Sequence, residues 1–376
     1  MRIGIDARTL FAPKTGDRTY ALNLARALPE LDQNNEYLLL TRRIPPNQPI
    51  LPFPVPSNCQ VVELRSASDW GFTMSALPRF VKRERLDVLH VQYITPFSKS
   101  CKLITTVHDV SWKRLPQSFP RKDRWLLNLF LPHALRLADM VITDSEASKI
   151  DLLKFFNLCD NKIATIPLAA EDRFFENPSI ATCQAIWKQL HLTPPYLLYL
   201  GVLQPRKNLE RLIKATAILK ARGGLHHKLV IVGKHGWGHK LLDELTVRLG
   251  LDDEVQFVGY APDKALPAIY QGADAFIYPS LWEGFGLPVL EAMALGIPVI
   301  TSDCGSLSEI AGDAAMLIDP YDVNALANTI ECVTTNSDLR RQLRVKGKDR
   351  ASQFRWTNTA RETLRVYEKV VGRQAK

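Results

Sequence analysis

Residues 280–300 read SLWEGFGLPVLEAMALGIPVI. The run predicts a strand end, a tight glycine loop and a helix. The preceding strand is expected over Ala275–Tyr278. Gly284 and Gly286 permit backbone angles that a Cβ resists. Pro288 suits the first helical position, where its missing N–H would be unpaired anyway. The helix is expected from Pro288 to about Leu295, stopping near Gly296 and Pro298. Glu283 and Glu291 bracket the turn with seven residues between them. A glycine loop feeding a helix N-terminus offers amides and a positive dipole end to an anion. Carboxylates beside it can accept hydrogen bonds from hydroxyls, so the run points to a ligand with both phosphate and sugar. Taken singly, each feature is common in ordinary structure: a Glu in a first helical turn is favourable for dipole reasons alone. The combination is much more specific.

The rest of the 376 residues fits two domains of ordinary size. With 46% hydrophobic and 23% charged residues there is material for full cores. No run of about 18 apolar residues occurs, so no spanning helix is expected. The start, MRIGIDART, reads as a strand and not as a leader, so no secretory signal is expected. Six cysteines are scattered without a C-x-x-C pair, which favours reduced thiols over disulfides or a zinc site. The net charge of +9 is uneven, with +7 in residues 1–170 and +2 in the remainder. A basic first half allows nucleic acid or an anionic membrane as partner, or only a basic surface.

Along the chain, short apolar runs alternate with helical spacing. Strands are expected at Arg2–Asp6, Glu36–Thr41, Val61–Leu64, Asp87–Val91, Leu103–Val107, Met140–Thr143 and Ile163–Ile166. Helices are expected at Thr19–Leu28, Phe72–Arg85, Asp123–Leu137 (kinked or interrupted by Pro132) and Glu146–Phe156. Phe11–Arg18 and the proline-rich Ile44–Ser57 read as loops. Pro167–Pro195 is turn-rich, with a helix at Ala181–Leu190, and marks the domain boundary. The pattern then restarts with strands Tyr196–Leu200, Lys228–Val232 and Val255–Val258, each ending in a glycine, followed by Ala275–Tyr278 and Val299–Thr301. Closing helices are expected at Ala325–Val333, Leu339–Phe354 and Thr359–Val371. Such alternation implies parallel sheets. The fold class is α/β, with two Rossmann-like domains facing across a cleft. Residues 1–170 form the first domain, 171–195 a linker region, 196–357 the second domain and 358–376 a C-terminal helix.

A second motif sits at a strand-to-helix transition: Gly201-Val-Leu-Gln-Pro-Arg206-Lys207-Asn208. Two cations there can reach a diphosphate near a helix N-terminus. Alone it would read as an ordinary basic loop. Together with Glu283-x7-Glu291 it closely resembles the family 4 retaining glycosyltransferases, which adopt the GT-B fold. The resemblance covers nearly the whole chain and is strongest over Tyr196–Pro320. It implies that Glu291 grips the nucleotide ribose and that Glu283 lies near the donor sugar. It implies that Gly284, Phe285, Gly286 and Leu287 meet the sugar and diphosphate, and that Lys207, assisted by Arg206, neutralises the diphosphate. Gly259 and Tyr260 match the position that meets the nucleobase. His108 matches a histidine near the donor sugar, and Gly16 a glycine-rich segment near the phosphates and acceptor. Two departures stand out. Val202 occupies a position where members often carry Arg, with Arg206 as the candidate substitute. Thr15-Gly16-Asp17-Arg18 has one glycine where members have two.

The implied activity is transfer of a hexosyl group from a nucleotide diphosphate sugar, GDP- or UDP-linked, to an acceptor hydroxyl with retention. The catalytic candidates are His108, Glu283, Arg206 and Lys207, with His108 and Glu283 positioning the sugar or stabilising a cationic ring. The first domain would bind a saccharide or lipid-linked saccharide acceptor, and the last helix would cross back onto it. Similarity to bacterial mannosyltransferases suggests GDP-mannose and a role in glycan, lipopolysaccharide or glycolipid synthesis. No Asp-x-Asp and no His/Cys cluster with ligand spacing occurs, so neither a metal nor another cofactor is expected. The basic, amphipathic stretches Trp112–Leu131 and Phe72–Arg85 suit either a core-packed helix or peripheral contact with an anionic membrane. The expected location is cytoplasmic, with such contact at the inner face of the plasma membrane. A related epimerase or phosphorylase remains an alternative. A dinucleotide oxidoreductase would need Gly-x-Gly-x-x-Gly after a first strand, which is absent. A nucleic-acid-binding module has no recognised motif here.

Overall fold

The computed structural model describes residues 1–11, 15–44, 51, 53–234, 236 and 239–372. Parts of the two expected loops, Phe11–Arg18 and Ile44–Ser57, lie outside these residues. The chain divides into two units, Met1–Leu168 with Arg355–Lys376, and Ala169–Phe354.

The first unit is built on a seven-stranded parallel sheet. Its strands are β1 (Arg2–Asp6), β2 (Glu36–Thr41), β3 (Cys59–Glu63), β4 (Val88–Gln92), β5 (Lys102–Thr106), β6 (Met140–Thr143) and β7 (Ile163–Thr165), in the order β3-β2-β1-β4-β5-β6-β7. The central residues of the five inner strands are buried, as expected for strands covered on both faces, while the edge strands β3 and β7 are partly open. The helix Gly16–Leu31 is capped by the Thr15 hydroxyl, which accepts from the Arg18 amide. Gly16 and Asp17, expected in a loop, therefore form its first turn. The helix Trp356–Val371 packs against it. Tyr367 OH lies 2.6 Å from His90 Nδ1 and Thr106 Oγ1 2.7 Å from His90 Nε2, and Tyr20 OH joins Thr106 at 3.0 Å. Burial, helped by nearby His108, lowers the His90 pKa to about 3, so this histidine is neutral.

Two sequence expectations change in this unit. Pro132 does not interrupt its helix, which runs Arg121–Leu137. The carbonyl that loses its partner belongs to Asn128, an exposed residue, where water can satisfy it. The stretch Phe72–Arg85 is a π-turn (Phe72–Ala76) leading into an α-helix (Leu77–Glu84). Its apolar face is committed to the core: Phe72, Leu77, Phe80 and Val81 pack with Leu38, Leu89 and Leu103. Each such side chain contributes about 1.5–3 kcal/mol by burial. That face is not open to a membrane. Trp112 is likewise buried, among Val107, Leu131 and Leu135.

The second unit carries a six-stranded parallel sheet. Its strands are β8 (Tyr196–Leu200), β9 (Lys228–Val232), β10 (Val255–Gly259), β11 (Ala273–Tyr278), β12 (Val299–Ser302) and β13 (Met316–Ile318), in the order β10-β9-β8-β11-β12-β13. At Gly233, φ is +155°, and a Cβ would sit 1.9 Å from the Gly201 carbonyl oxygen. The carboxyl ends of β8 and β9 approach so closely that only glycine fits.

Residues 171–195, expected as a linker region, fold into this unit. Arg173 Nη1 donates to the Asp263 carbonyl at 3.0 Å, and Trp187 Nε1 donates to the Ala268 carbonyl at 2.8 Å. Phe174 is buried edge-on against Tyr270. A turn-rich composition conceals these aromatic anchors. Among the described residues no helix is long and apolar enough to cross a membrane.

Candidate active site

The second unit brings three of the four catalytic candidates together. After β8 the chain makes a 3-10 turn over Pro205–Lys207 and passes through Asn208 at φ +63°. Asn208 Nδ2 donates to the carbonyls of Pro279 (3.0 Å) and Pro320 (2.6 Å), and the Leu281 amide donates to the Arg206 carbonyl at 2.8 Å. The turn is thus pinned to the end of β11. Lys207 is buried. Its Nζ donates to Glu283 Oε1 and to Tyr278 OH, both at 2.6 Å. Arg206 Nη1 donates to Glu283 Oε2 at 2.7 Å and to the Trp282 carbonyl at 3.0 Å.

Burial alone would raise the Glu283 pKa. The Arg206 and Lys207 cations outweigh it and hold the carboxyl at about 2. Because this lies below the ordinary value of 4.5, the pairing contributes stability above pH 4.5 and loses it as pH falls through 2. Two cations share one carboxylate, so these three side chains together carry a net positive charge in a buried setting. Such a field suits an incoming diphosphate.

Gly286, at φ +117°, caps the helix Leu287–Ala294. A Cβ there would lie 2.8 Å from Leu307 Cδ2, and the conformation itself disfavours any side chain. Gly284 and Phe285 are buried, Phe285 against the edge of Phe354. Glu291 is buried on this helix, and Tyr270 OH donates to its Oε2 at 3.0 Å. Gly259 ends β10 at φ +75°, and Tyr260 beyond it is half exposed with Lys234 Nζ 4.7 Å from its ring centroid. That open ring face could stack on a base.

His108 follows β5 in the first unit and is described there by itself. Its Nδ1 lies 2.7 Å from Asp144 Oδ2 and its Nε2 2.9 Å from Gln92 Oε1. Asp17 Oδ1 is 4.0 Å from Nε2. Burial lowers its pKa, but Asp144, then Asp17 and Asp109, outweigh that and raise it to about 9. The ring is therefore an imidazolium donating from both nitrogens. Stability from this charge is present below pH 6.5 and is lost as pH rises through 9. An imidazolium cannot stabilise a cationic sugar ring by its charge. What the ring can offer is hydrogen-bond donation, here to Asp144 and Gln92. Gly16 is less constrained than expected of a phosphate loop: a Cβ would meet nothing within 4 Å among the described residues.

Tyr278, Tyr270, Asp144 and Gln92 are contacts that sequence reasoning missed. Both tyrosines stood in apolar runs that read as core. Asp144 follows β6 directly, a strand-end position that could have drawn notice.

Comparison with known proteins adds to this geometry. A family model described as glycosyl transferases group 1 matches residues 184–350, and one described as glycosyltransferase family 4 matches residues 15–172. The chain is 33% identical over 268 residues to O-antigen chain mannosyltransferase B of Escherichia coli, covering 71% of this chain and 70% of that protein. It is 32% identical over 242 residues to mannosylfructose-phosphate synthase of Agrobacterium fabrum, covering 62% of this chain and 53% of that protein. Sucrose-phosphate synthase from Thermosynechococcus elongatus superposes with a TM-score of 0.80 at 22% identity, over 99% of both chains. The two parallel-sheet units thus match the GT-B architecture.

Proposed function

The chain belongs to the group 1 and family 4 glycosyltransferases, and from that membership we propose that it moves mannose from GDP-mannose to a saccharide hydroxyl with retention. The observation that carries the reaction is the buried cluster of Arg206, Lys207 and Glu283 after β8 and β11. The bond from the anomeric carbon to the β-phosphate oxygen breaks. The acceptor oxygen bonds to that carbon on the same face, and its proton passes to the leaving phosphate. Charge grows on the diphosphate as this happens. Arg206 and Lys207 meet it in a preorganised site, with no metal needed for neutralisation. Glu283, kept ionised, orients sugar hydroxyls, and Glu291 accepts from the ribose hydroxyls. Mannose as the sugar is supported by the Escherichia coli relative, whose product is a mannosylated O-antigen chain by its name. Calorimetry with GDP-mannose, GDP-fucose and UDP-glucose tests the donor. GDP-mannose is expected to bind at least about tenfold more tightly than UDP-glucose, equivalent to about 1.4 kcal/mol. Equal or reversed affinities would count against it.

The reading extends to a lipid-linked acceptor reached at an anionic membrane. Support comes from the helix Arg121–Leu137, where Trp125 and Leu129 are 63% and 52% exposed one turn apart. Exposed Arg121 and Lys122 share that face by helical spacing. Phe97, 59% exposed, and Trp70 flank Phe130 of the same helix. An apolar patch rimmed by cations fits lipid headgroups. Flotation with phosphatidylglycerol liposomes at low salt should carry the protein up, and Trp125→Ser with Leu129→Ser should reduce it. A wild-type protein that stays at the bottom of the gradient would end this part of the reading.

A further inference from the structure

The first unit contains a cavity of about 640 Å³. It opens at the carboxyl ends of β1, β2 and β4, with Asp6, Thr41 and Gln92 contributed by those ends. In the strand order, β1 lies between β2 and β4, so the chain runs outward in both directions from this point. A crevice at such a switch point is where open parallel sheets bind ligands. Its volume falls within the ~300–1,000 Å³ of small-molecule sites.

The lining is balanced in charge. Arg8, Arg42 and Arg43 face Asp6, Asp17 and Asp69. Arg8 Nη2 is paired with buried Asp6 at 2.6 Å, and Arg42 Nε with Asp69 at 3.2 Å. A phosphate entering here would have to compete with carboxylates already holding two of the three arginines. This differs from the second unit, where two cations share one carboxylate. The groups left to a ligand suit hydroxyls. Thr9 Oγ1 is buried without a hydrogen-bond partner among the described residues. Gln92 and the Tyr93 ring border the same space. Asp17 is half exposed, and the only cation within 4.0 Å of it among the described residues is His108. An ionised carboxylate only accepts, and can take hydrogen bonds from two hydroxyls at once. Asp17 lies in the first turn of the helix Gly16–Leu31, within the stretch Thr15–Arg18 that departs from the two-glycine pattern.

We propose that this cavity takes the uncharged, hydroxyl-bearing end of a saccharide acceptor, with Asp17 accepting its hydrogen bonds, and that it discriminates against a phosphorylated sugar. The inference rests on the glycosyltransferase reading above and names the acceptor class for it. His108 holds Asp17 toward the cavity by charge, and Gln92 touches both the His108 ring and the cavity.

The test compares methyl α-mannobioside with its 6-phosphate as acceptors for GDP-mannose. The neutral acceptor should show a kcat/KM at least about tenfold higher. Asp17→Asn should raise KM for the neutral acceptor about tenfold or more, the loss expected for a hydrogen bond to a charged group. The same variant should narrow the gap between the two acceptors, a change in selectivity that a purely structural role would not produce. GDP affinity by calorimetry should stay as in the wild type. Preference for the phosphorylated acceptor, or an unchanged KM in the variant, would overturn the proposal. If neither compound is glycosylated, the donor or the reaction has been misread. Saturation-transfer NMR of methyl α-mannobioside on the ligand-free protein then decides the cavity separately. Transfer that Asp17→Asn removes supports it, and no transfer to the wild type refutes it.

Discussion

Lys207→Ala will lower kcat by about 10²- to 10³-fold, the effect of deleting one preorganised donor to a developing anion. Lys207 Nζ is fixed at 2.6 Å by both Glu283 and Tyr278 before any ligand arrives. Its ordering is therefore complete in the free protein, and its charge acts at full strength in a buried site. Alanine leaves Glu283 paired with Arg206 alone, at 2.7 Å. The remaining Arg206–Glu283 pair then has no net positive charge to offer the leaving diphosphate. Arginine at 207 would not restore it, because a planar fork cannot occupy the space of a compact ammonium. Initial rates at saturating donor measure the effect, with circular dichroism confirming the fold. A kcat within threefold of wild type would remove Lys207 from the chemistry.

Glu291→Ala should weaken binding of the nucleoside diphosphate about 10- to 100-fold, the range for a charged hydrogen-bond acceptor. Tyr270 OH holds one oxygen of this buried carboxylate at 3.0 Å. Burial, then the carboxylate itself, pushes the Tyr270 pKa well up, so the phenol stays a donor. The loss should appear in donor KM more than in kcat, since the ribose is held equally before and during transfer. A 2′,3′-dideoxy nucleotide provides the matching deletion. It should bind the wild type as weakly as the natural nucleotide binds the variant, and the two losses should not add. Fully additive losses, or an unchanged GDP affinity in the variant, would show that Glu291 serves the helix and not the ribose.

Much of this site is legible in the sequence because its parts are local. The turn at Gly284–Leu287 and the basic turn at Pro205–Lys207 each lie within one strand-to-helix transition, where glycine, proline and charge mark the backbone directly. Partners distant in sequence are harder to see. Tyr278 sits in AFIY and Tyr270 in LPAIY, apolar runs whose hydroxyls give no sign of their use until β8 and β11 pair. The edge of the second sheet was also hidden. β13 is three residues long and defined by pairing with β12, and the helix Gly305–Ala311 is too short to show periodicity. Asp17 shows the opposite case. As a residue in a glycine loop it suggests only repulsion, whereas as the first-turn residue of Gly16–Leu31 it faces His108 and a cavity.

The protein should transfer an intact glycosyl group from the nucleotide to a hydroxyl with retained configuration. Proton NMR of the product formed from GDP-mannose and methyl α-mannobioside tests it most directly. A new α-configured anomeric signal, matching the α-linked donor, should appear in step with released GDP. A β-configured product, or free mannose with no new glycoside, would contradict it.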